Sequence, residues 1–379
     1  MSIRIAVVAG TRPEAIKLIP VYEALKRRPE LTPVFVSAGQ HKQMLASVFE
    51  AFDFAPDISL DVMTENSALA TLMGRLLTAL QEVFAQERFD AVIVQGDTST
   101  AFAAGLAGHY ARIPVAHVEA GLRTHDKWAP FPEETHRRMI GALAGYHFAA
   151  KSQAVDALTA ENVTRNVYTV GNTVVDALLL MRDRVRRSLN IYSERFGALT
   201  GGSRRYILLT AHRRENFGEG LENICEAVTR ITDRHKDVSF IFCVHLNPNV
   251  KTIVHSRLRN VERIHLIEPQ PYDSMVYLMM GAWLILTDSG GLQEEAPSLN
   301  VPILVMREKT ERPEGVDAGC ARLVGTDVDL ILSEVERLWT SPDAYKAMQD
   351  VPNPYGDGMA AQRIAGHMVQ ALAAPRVEA

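Results

Sequence analysis

Cysteine is scarce in this chain. The 379 residues include only three cysteines, Cys225, Cys243 and Cys320, which lie far apart in the sequence. Three thiols at such spacings provide neither a disulfide framework nor a CxxC-type metal site. We therefore expect three free, buried thiols and no metal site.

Strong net charge and long apolar runs are also missing. The formal net charge is −5 and the basic residues are scattered, which argues against a nucleic-acid partner or a polybasic membrane anchor. No apolar run approaches the roughly 18 residues that a membrane-spanning helix needs. The first residues show neither a charged lead-in nor a signal-peptide cleavage site, so we expect a cytoplasmic protein without a membrane partner.

Two nucleotide-binding motifs are absent as well. No G-x-G-x-x-G follows the first predicted strand, and G-x-x-x-x-G-K-[ST] occurs nowhere in the chain. The first absence disfavours tightly bound NAD, and the second disfavours Walker-type use of ATP. We expect no cofactor.

Short apolar runs alternate with longer amphipathic stretches along the whole chain. This pattern predicts βαβ units, and hence an α/β fold whose parallel sheets are covered by helices on both faces. Two domains are expected from 379 residues with 47% hydrophobic content, because a single core seldom grows this large. The predicted strands are 3–9, 33–37, 91–95, 114–118, 146–149, 206–210, 238–244, 263–267, 283–287 and 302–306.

The predicted domain boundary follows residues 171–176. A charged helix, predicted from Ala177 to about Arg195, leads from there to a polar segment and a new series of strands from Tyr206. We assign residues 1–171, with the C-terminal helix 359–379, to the first domain and residues 172–358 to the second. Two α/β domains of similar size are expected to leave a cleft between them, a usual place for a small-molecule site.

Residues 283–297 have the pattern of a buried strand, a tight glycine turn and a helix start. The backbone amides of Ser289, Gly290 and Gly291 could bind phosphate oxygens, because glycine permits close approach and a helix N-terminus favours anions. A carboxylate at Glu294 or Glu295 would suit ribose hydroxyls. Taken alone, the segment could equally be an ordinary strand-to-helix turn.

Three basic residues near strand ends are candidates for holding a diphosphate. Arg12 and Lys17 follow the first strand, and Arg312 follows the strand 302–306. Arginine can bind phosphate through two parallel hydrogen bonds, whereas lysine acts as a point charge. The alternative is that these are surface charges around turns.

Carboxylates also collect at predicted strand ends. Asp97 and Glu119 follow consecutive strands, and Glu133 or Glu134 lies in the first turn of the next helix. Arg137 is four residues beyond Glu133, close enough to pair with it on one helix face. Converging carboxylates indicate acid–base chemistry, although glutamates at helix starts are more often structural.

Two histidines follow strands of the second half. His212 is flanked by Arg213, Arg214 and Glu215, and His245 follows the strand 238–244. Imidazole titrates near neutrality, so a histidine at such a position could donate or accept a proton. A structural role for each histidine is the alternative.

Nine sequence blocks carry a family resemblance, in order and across residues 10–327. The chain resembles the non-hydrolysing UDP-N-acetylglucosamine 2-epimerases. This resemblance implies two Rossmann-like, doubly wound domains in the glycosyltransferase-B arrangement and a homodimer. It also implies interconversion of UDP-GlcNAc and UDP-ManNAc, which supplies ManNAc-type sugars for cell-surface polysaccharide. The blocks are GTRPEAIK, QGDTST, HVEAGLRT, PFPEE, HRRENFG, VHLNPNV, LTDSGGLQEEAPSL, TERPE and VGTD.

The resemblance also assigns residues. Gln270 and Glu295 match the positions that hold uracil and ribose. Two positions depart from the family pattern, since His125 replaces a common glycine and Met275 replaces a phenylalanine that packs on uracil. The positions that match the family's catalytic residues are Asp97, Glu119, Glu133, His212 and, close by, Arg137. The positions that match its activating second UDP-GlcNAc site are Gln40, Gln43, Arg75, Arg213 and His245.

The chemistry of the implied reaction can be compared with these residues. The C2 proton of an acetamido sugar is not adjacent to a carbonyl, so an enzyme must oxidise a neighbouring carbon with NAD or expel UDP. The missing dinucleotide motif favours expulsion. Three alternatives are a hydrolysing epimerase, a retaining glycosyltransferase of the same fold, and a nucleotide-sugar sensor without turnover.

Overall fold

A computed structural model describes residues 2–39, 42–62, 68–201 and 205–373, apart from the side chains at positions 42 and 43. The chain divides into two compact units, Met1–Ala177 with Gly356–Ala379 and Leu178–Tyr355. Within the described ranges no helix combines the length and the apolar character needed to cross a membrane.

The first unit contains a parallel sheet flanked by helices. Its strands are β1 (Ile3–Ala9), β2 (Leu31–Ser37), β3 (Ile58–Ser59), β4 (Ala91–Gln95), β5 (Val115–Val118), β6 (Tyr146–Ala149) and β7 (Val167–Thr169). Its helices before the boundary are α1 (Arg12–Lys26), α2 (Lys42–Phe52), α3 (Leu69–Gln86), α4 (Ser99–Tyr110), α5 (Glu133–Leu143) and α6 (Ser152–Ala160).

The second unit repeats this architecture. Helix α7 (Thr173–Arg187) contains the boundary between the units, and α16 (Ala360–Ala373) belongs to the first unit. The strands of the second unit are β8 (Arg205–Ala211), β9 (Val238–Val244), β10 (Ile264–Ile267), β11 (Leu284–Thr287), β12 (Ile303–Val305) and β13 (Ala321–Leu323). Its remaining helices are α8 (Leu189–Thr200), α9 (Glu219–Arg234), α10 (Pro248–Leu258), α11 (Tyr272–Gly281), α12 (Gly290–Glu295), α13 (Pro313–Ala318), α14 (Val328–Thr340) and α15 (Pro342–Gln349), with 3₁₀ turns at Arg214–Asn216 and Ala296–Leu299.

Strand order explains where each unit can bind a ligand. The first sheet runs β3-β2-β1-β4-β5-β6-β7 and the second runs β10-β9-β8-β11-β12-β13, with parallel pairing throughout the described strands. The order reverses between β1 and β4 and again between β8 and β11. Open α/β sheets bind ligands beyond the carboxyl ends of the strands at such a reversal.

The prediction of an α/β fold with two doubly wound, parallel sheets is confirmed. All ten predicted strands are present, within two residues at each end. The central ones were recognisable because every residue of β4 and β9 is buried. Three short edge strands, β3, β7 and β13, escaped prediction, because each has only two or three residues, of which at least one is exposed, and so forms no apolar run.

The prediction of one helix from Ala177 to about Arg195 is wrong. Two helices, α7 and α8, meet at Ser188, whose φ of −126° and ψ of 30° lie outside the helical region. Serine has modest helix propensity, and it follows the like charges Arg186 and Arg187 in the last turn of α7. The three cysteines are free and buried, as expected.

Candidate active site

The loop after β1 is held by a buried glutamate. Glu14 Oε2 accepts the backbone amides of Gly10 at 3.0 Å and Thr11 at 2.7 Å, and Oε1 accepts the Thr98 hydroxyl at 2.6 Å. Burial raises the pKa of Glu14 to about 6, although these hydrogen bonds oppose the shift. Glycine is required at position 10, since a Cβ there would overlap the Thr100 side chain. The loops after β1 and β4 are thereby fixed to each other at the strand-order reversal.

Two imidazoles hold the backbone around Asp97. His117 Nε2 donates to the Gly96 carbonyl at 2.7 Å, and His136 Nδ1 donates to the Asp97 carbonyl at 2.9 Å. Burial lowers the pKa of His117 to about 4, so this ring is neutral at physiological pH. His136 stacks on Phe102 with ring centroids 5.1 Å apart. These contacts leave the position of Asp97 little freedom.

Glu119 lies at the end of β5, next to the end of β4. Its Oε2 accepts hydrogen bonds from the Lys17 ammonium and, at 2.6 Å, from Gln95 Nε2. Its φ is 63°, in the left-handed region that non-glycine residues seldom adopt. Strain of this kind costs energy and is found mainly where the surrounding structure enforces a functional geometry.

Arg137 joins two carboxylates from different elements. Its guanidinium lies 2.7 Å from Asp97 Oδ2 and 3.2 Å from Glu134 Oε2. The sequence suggested Glu133 as its partner, but the structure pairs it with Asp97 and Glu134 instead. Glu134 is buried and accepts the amides of Thr124 and His125 at 3.0 and 3.2 Å, so it supports the preceding loop.

The pKa of Asp97 is raised. Burial is the main cause, Arg137 opposes it, and the negative charges of Glu119 and Glu133 add to it. Glu133 itself is half-buried in the first turn of α5. The predicted residues Lys17, Asp97, Glu119, Glu133 and Arg137 therefore form one electrostatically coupled group. Arg12 is half-buried at the first position of α1, beside the same loop.

The carboxyl ends of β8 and β11 form a second polar group, around Asp288. This side chain is fully buried, and its Oδ2 accepts the amides of His212 and Arg213, both at 2.8 Å, and Asn216 Nδ2 at 3.1 Å. The Nδ1 atom of His212 lies 3.0 Å from Oδ1. Burial alone would raise the pKa of Asp288, but the His212 side chain and these amides lower it below its ordinary value.

Two guanidinium groups approach the glycine turn. A Cβ at Gly290 would lie 3.7 Å from Arg213 Nη2 and 3.8 Å from Arg312 Cζ. Arg312 also contacts Glu294 at 2.5 Å, whereas the buried Nε of Arg213 has no hydrogen-bond partner among the described residues. The Ser289 amide donates to Thr287 Oγ1 at 3.0 Å. The Gly290 and Gly291 amides open α12, where an anion would be favoured.

The positions assigned to the nucleoside lie on adjoining segments of the second unit. Glu295 is buried in α12 and accepts the Tyr272 hydroxyl at 3.0 Å. Tyr272 begins α11, which also carries the half-buried Met275. Gln270 lies just before this helix and accepts a hydrogen bond from Arg195 at 3.2 Å.

The residues assigned to an activating site are distributed differently. Arg75 is exposed on α3 in the first unit. In the second unit, Arg213 lies at the glycine turn, and the exposed His245 stacks on His212 with ring centroids 5.9 Å apart. Gln40 and the side chain of Gln43 lie outside the described residues.

Sequence reasoning missed the contacts that three acidic residues make. Glu14 was detectable, because Thr11-x-x-Glu14 has the spacing of a helix capping box. The support that Glu134 gives to the Thr124 and His125 amides had no recognisable pattern. The contacts of Asp288 join positions 75 and 76 residues apart, so only the pairing of β8 with β11 reveals them.

Comparisons with known proteins agree over almost the full chain. A family model described as UDP-N-acetylglucosamine 2-epimerase matches residues 23–369. The UDP-N-acetylglucosamine 2-epimerase of Escherichia coli K12 is 46% identical over 364 residues, which cover 95% of this chain and 97% of that protein.

Solved structures give the same result. The UDP-GlcNAc 2-epimerase of Neisseria meningitidis bound to UDP-GlcNAc superposes with a TM-score of 0.87 at 39% identity, over 97% of this chain and 100% of that chain. MnaA of Staphylococcus aureus, solved with UDP, superposes with a TM-score of 0.84 at 40% identity, over 98% of this chain and 97% of that one. The chain belongs to the UDP-N-acetylglucosamine 2-epimerase family.

Proposed function

We propose that this protein interconverts UDP-GlcNAc and UDP-ManNAc without hydrolysis. Family membership supports 2-epimerase activity, and the proposal concerns the mechanism of that reaction. In the forward direction a base removes the C2 proton, the C1–O bond to UDP breaks in an anti elimination, and a bound 2-acetamidoglucal forms. UDP then adds back to C1 while a proton is delivered to the opposite face of C2. The product would supply ManNAc-type sugars for cell-surface polysaccharide.

The observation that carries this proposal is the environment of Asp97. A group that exchanges a proton with carbon must be able to hold that proton, and a raised pKa makes a carboxyl better suited to both halves of the exchange. Glu119 and Glu133 supply the neighbouring negative charges that contribute to this shift. We assign the C2 proton transfers to Asp97, Glu119 and Glu133.

Lys17 and Arg137 limit how these carboxylates can act. Lys17 binds Glu119, and Arg137 binds Asp97, so each acid has a cation that stabilises its ionised form. Each cation could also face the diphosphate once substrate binds. We propose that Lys17 and Arg12 contact phosphate oxygens, whereas Arg137 orients Asp97.

The site must bind the diphosphate of free UDP more tightly than it binds the same diphosphate while the sugar is still attached. Arg312 and the Gly290 and Gly291 amides would supply cationic and dipolar contacts in the second unit, with Ser289 adding its hydroxyl. His212 would stabilise or protonate the leaving phosphate. Glu295 would bind the ribose hydroxyls.

The base would be held by two further residues of the second unit. Gln270 would lie at the uracil, where its amide can recognise the polar edge of the ring. Met275 would pack on the face of the uracil ring through its thioether, which replaces aromatic stacking by a more adaptable contact.

Proton NMR of UDP-GlcNAc incubated with the protein in D₂O tests the proposal. We expect UDP-ManNAc to appear, with deuterium at C2 of both nucleotide sugars. Release of free ManNAc and UDP would instead identify a hydrolysing epimerase. Absence of any C2 exchange would overturn both.

We further propose that UDP-GlcNAc activates the enzyme from a second site formed with Gln40, Gln43, Arg75, Arg213 and His245. The guanidinium of Arg213 lies near the glycine turn, and its Nε has no hydrogen-bond partner in the described part of the chain, which supports an additional anionic contact at this position. The reverse reaction should then start slowly with pure UDP-ManNAc and accelerate when a trace of UDP-GlcNAc is added. Equal initial rates with and without the trace would exclude this activation.

A further inference from the structure

The two oxygens of Asp288 have different surroundings. Oδ2 is occupied by three donors, namely two backbone amides at 2.8 Å and Asn216 Nδ2 at 3.1 Å. Oδ1 is also buried and accepts no hydrogen bond of regular geometry from the described residues, while His212 Nδ1 lies 3.0 Å from it in an ion-pair contact. The carboxylate is therefore fixed in orientation by Oδ2 and presents Oδ1 to the imidazole.

This arrangement selects one form of the His212 ring. An ionised carboxylate accepts hydrogen bonds and cannot donate them, and the pKa of Asp288 is lowered. The nitrogen facing Oδ1 must therefore carry hydrogen. A neutral imidazole protonated at Nδ1 has its lone pair on Nε2.

We infer that Asp288 is a positioning residue, which holds His212 in the Nδ1–H form and leaves Nε2 to exchange a proton with the leaving phosphate. The inference deepens the role given to His212 in the proposed function and depends on it for its catalytic consequence. In the charged imidazolium, Nε2 carries the transferable proton while Nδ1–H still faces Asp288. Only Nε2 then gains or loses a proton.

His245 restricts the same ring from its face. The two imidazoles are nearly parallel, with an interplanar angle of 23° and centroids 5.9 Å apart. The Nδ1 atom of His245 accepts the Asn247 amide at 3.1 Å, which orients the second ring. Stacking limits rotation of His212, while Asp288 determines which nitrogen carries the proton.

Asp288→Asn gives a sharp test, because the surroundings of Oδ2 dictate how an amide must sit. Three donors require its oxygen at the Oδ2 position, so its NH₂ group must point at His212 Nδ1. An NH₂ group facing Nδ1 requires a lone pair there, which moves the ring proton to Nε2. A carboxylate-to-amide change of this kind in a catalytic triad produces the wrong tautomer and lowers kcat about 10⁴-fold.

The measurement is ¹⁵N–¹H correlation NMR of the histidine rings at neutral pH without nucleotide. The His212 signals are assigned by their disappearance in His212→Gln. We expect Nδ1–H in the wild type and Nε2–H in Asp288→Asn. Wild-type protein with the Nε2–H form overturns the inference, and this result does not require that the variant fold.

Kinetics provide a second readout. We expect Asp288→Asn to lower kcat by about 10²–10⁴-fold, with a much smaller change in KM. The matched control is Asp327→Asn, because Asp327 caps α14 by accepting the Leu330 amide at 2.7 Å and asparagine caps helices equally well. A similar loss of kcat in the control, or an unchanged kcat in Asp288→Asn with a switched tautomer, would contradict the catalytic consequence.

The two proposals fail in distinguishable ways. The tautomer is read without substrate, so it tests the positioning by Asp288 even if UDP-GlcNAc is not epimerised. Conversely, wild-type C2 exchange together with an Nε2–H ring would leave the proposed function intact and remove the role of Asp288.

Discussion

Asp97 and Asp288 occupy corresponding places in the two units but have opposite acidities. Each follows a strand that borders the reversal of strand order, β4 in the first sheet and β11 in the second. Asp288 is the more buried, with its side chain 0% exposed against 24% for Asp97. Yet the pKa of Asp97 is raised and that of Asp288 is lowered.

The difference shows that hydrogen bonds together outweigh burial at Asp288, whereas burial prevails at Asp97. Asp288 accepts two backbone amides and one side-chain amide and faces an imidazole, all of which favour the ionised form. At Asp97 burial is the main cause of the raised pKa, one guanidinium opposes it, and the negative charges of two neighbouring carboxylates add to it. Asp97 is therefore suited to exchange a proton, and Asp288 is suited to remain charged as a support.

Removing the ionisable group at Asp97 should have the largest effect. Asp97→Asn keeps the size of the side chain but cannot accept or return a proton, so we expect kcat to fall about 10³-fold or more. The control is Asp126→Asn, an exposed position in the loop before α5. Steady-state rates and C2 deuterium exchange measure both variants. A kcat within tenfold of wild type would remove Asp97 from the proton transfer.

Gly290→Ala tests whether the glycine turn of the second unit binds the diphosphate. The added methyl would lie 3.7 Å from Arg213 and 3.8 Å from Arg312, which is ordinary contact distance, so the fold should tolerate it. The methyl would nevertheless occupy the space through which a phosphate oxygen reaches the amide. We expect the Kd for UDP, measured by calorimetry, to rise about tenfold or more.

The matched control is Gly197→Ala in α8, where a methyl would meet no atom of the described residues within 4 Å. Alanine has the higher helix propensity, so this variant should be at least as stable as wild type and bind UDP normally. If both variants bind UDP equally well, the glycine turn does not contact the diphosphate.

Sequence patterns predicted the sheets and the polar strand ends because both are local properties. The buried runs of β1, β4, β8 and β11 identify strands, and parallel strands bring their carboxyl ends to one edge. Asp97, Glu119 and His212 can therefore be recognised as candidates from the sequence alone. Their protonation behaviour cannot, because it depends on contacts between distant segments.

Asp288 and Arg137 illustrate this limit. In sequence Asp288 resembles Asp97, since both are aspartates beside a glycine turn after an apolar strand. The amide donors to Asp288 come from the loop after β8, 75 and 76 residues away. Arg137 could pair with Glu133 by helix spacing alone, but tertiary packing places it between Asp97 and Glu134.

The smallest expected effect concerns Glu14. This residue supports the polar group of the first unit, as Asp288 supports that of the second unit, but its pKa is raised. The folded protein holds the Glu14 proton more tightly than the unfolded chain, because the pKa rises from 4.5 to about 6. This contribution to stability is therefore present below pH 4.5 and is lost as the pH rises to about 6, a change of about 2 kcal/mol.

Glu14→Gln should remove this dependence. The glutamine oxygen can accept the Gly10 and Thr11 amides, and its NH₂ can donate to the Thr98 hydroxyl, so every contact of Glu14 keeps a partner. In urea unfolding followed by circular dichroism, the free energy of unfolding of the variant relative to wild type should increase by about 2 kcal/mol between pH 4 and pH 7. Asp176→Asn is the matched comparison, because burial also raises the pKa of Asp176 to about 6. Each variant should remove only the part of the pH dependence of the unfolding free energy that its own carboxyl group contributes. If Glu14→Gln leaves the pH dependence unchanged while Asp176→Asn reduces it, folding does not raise the pKa of Glu14, and the two supporting acids, Glu14 and Asp288, would then both be ionised throughout this pH range.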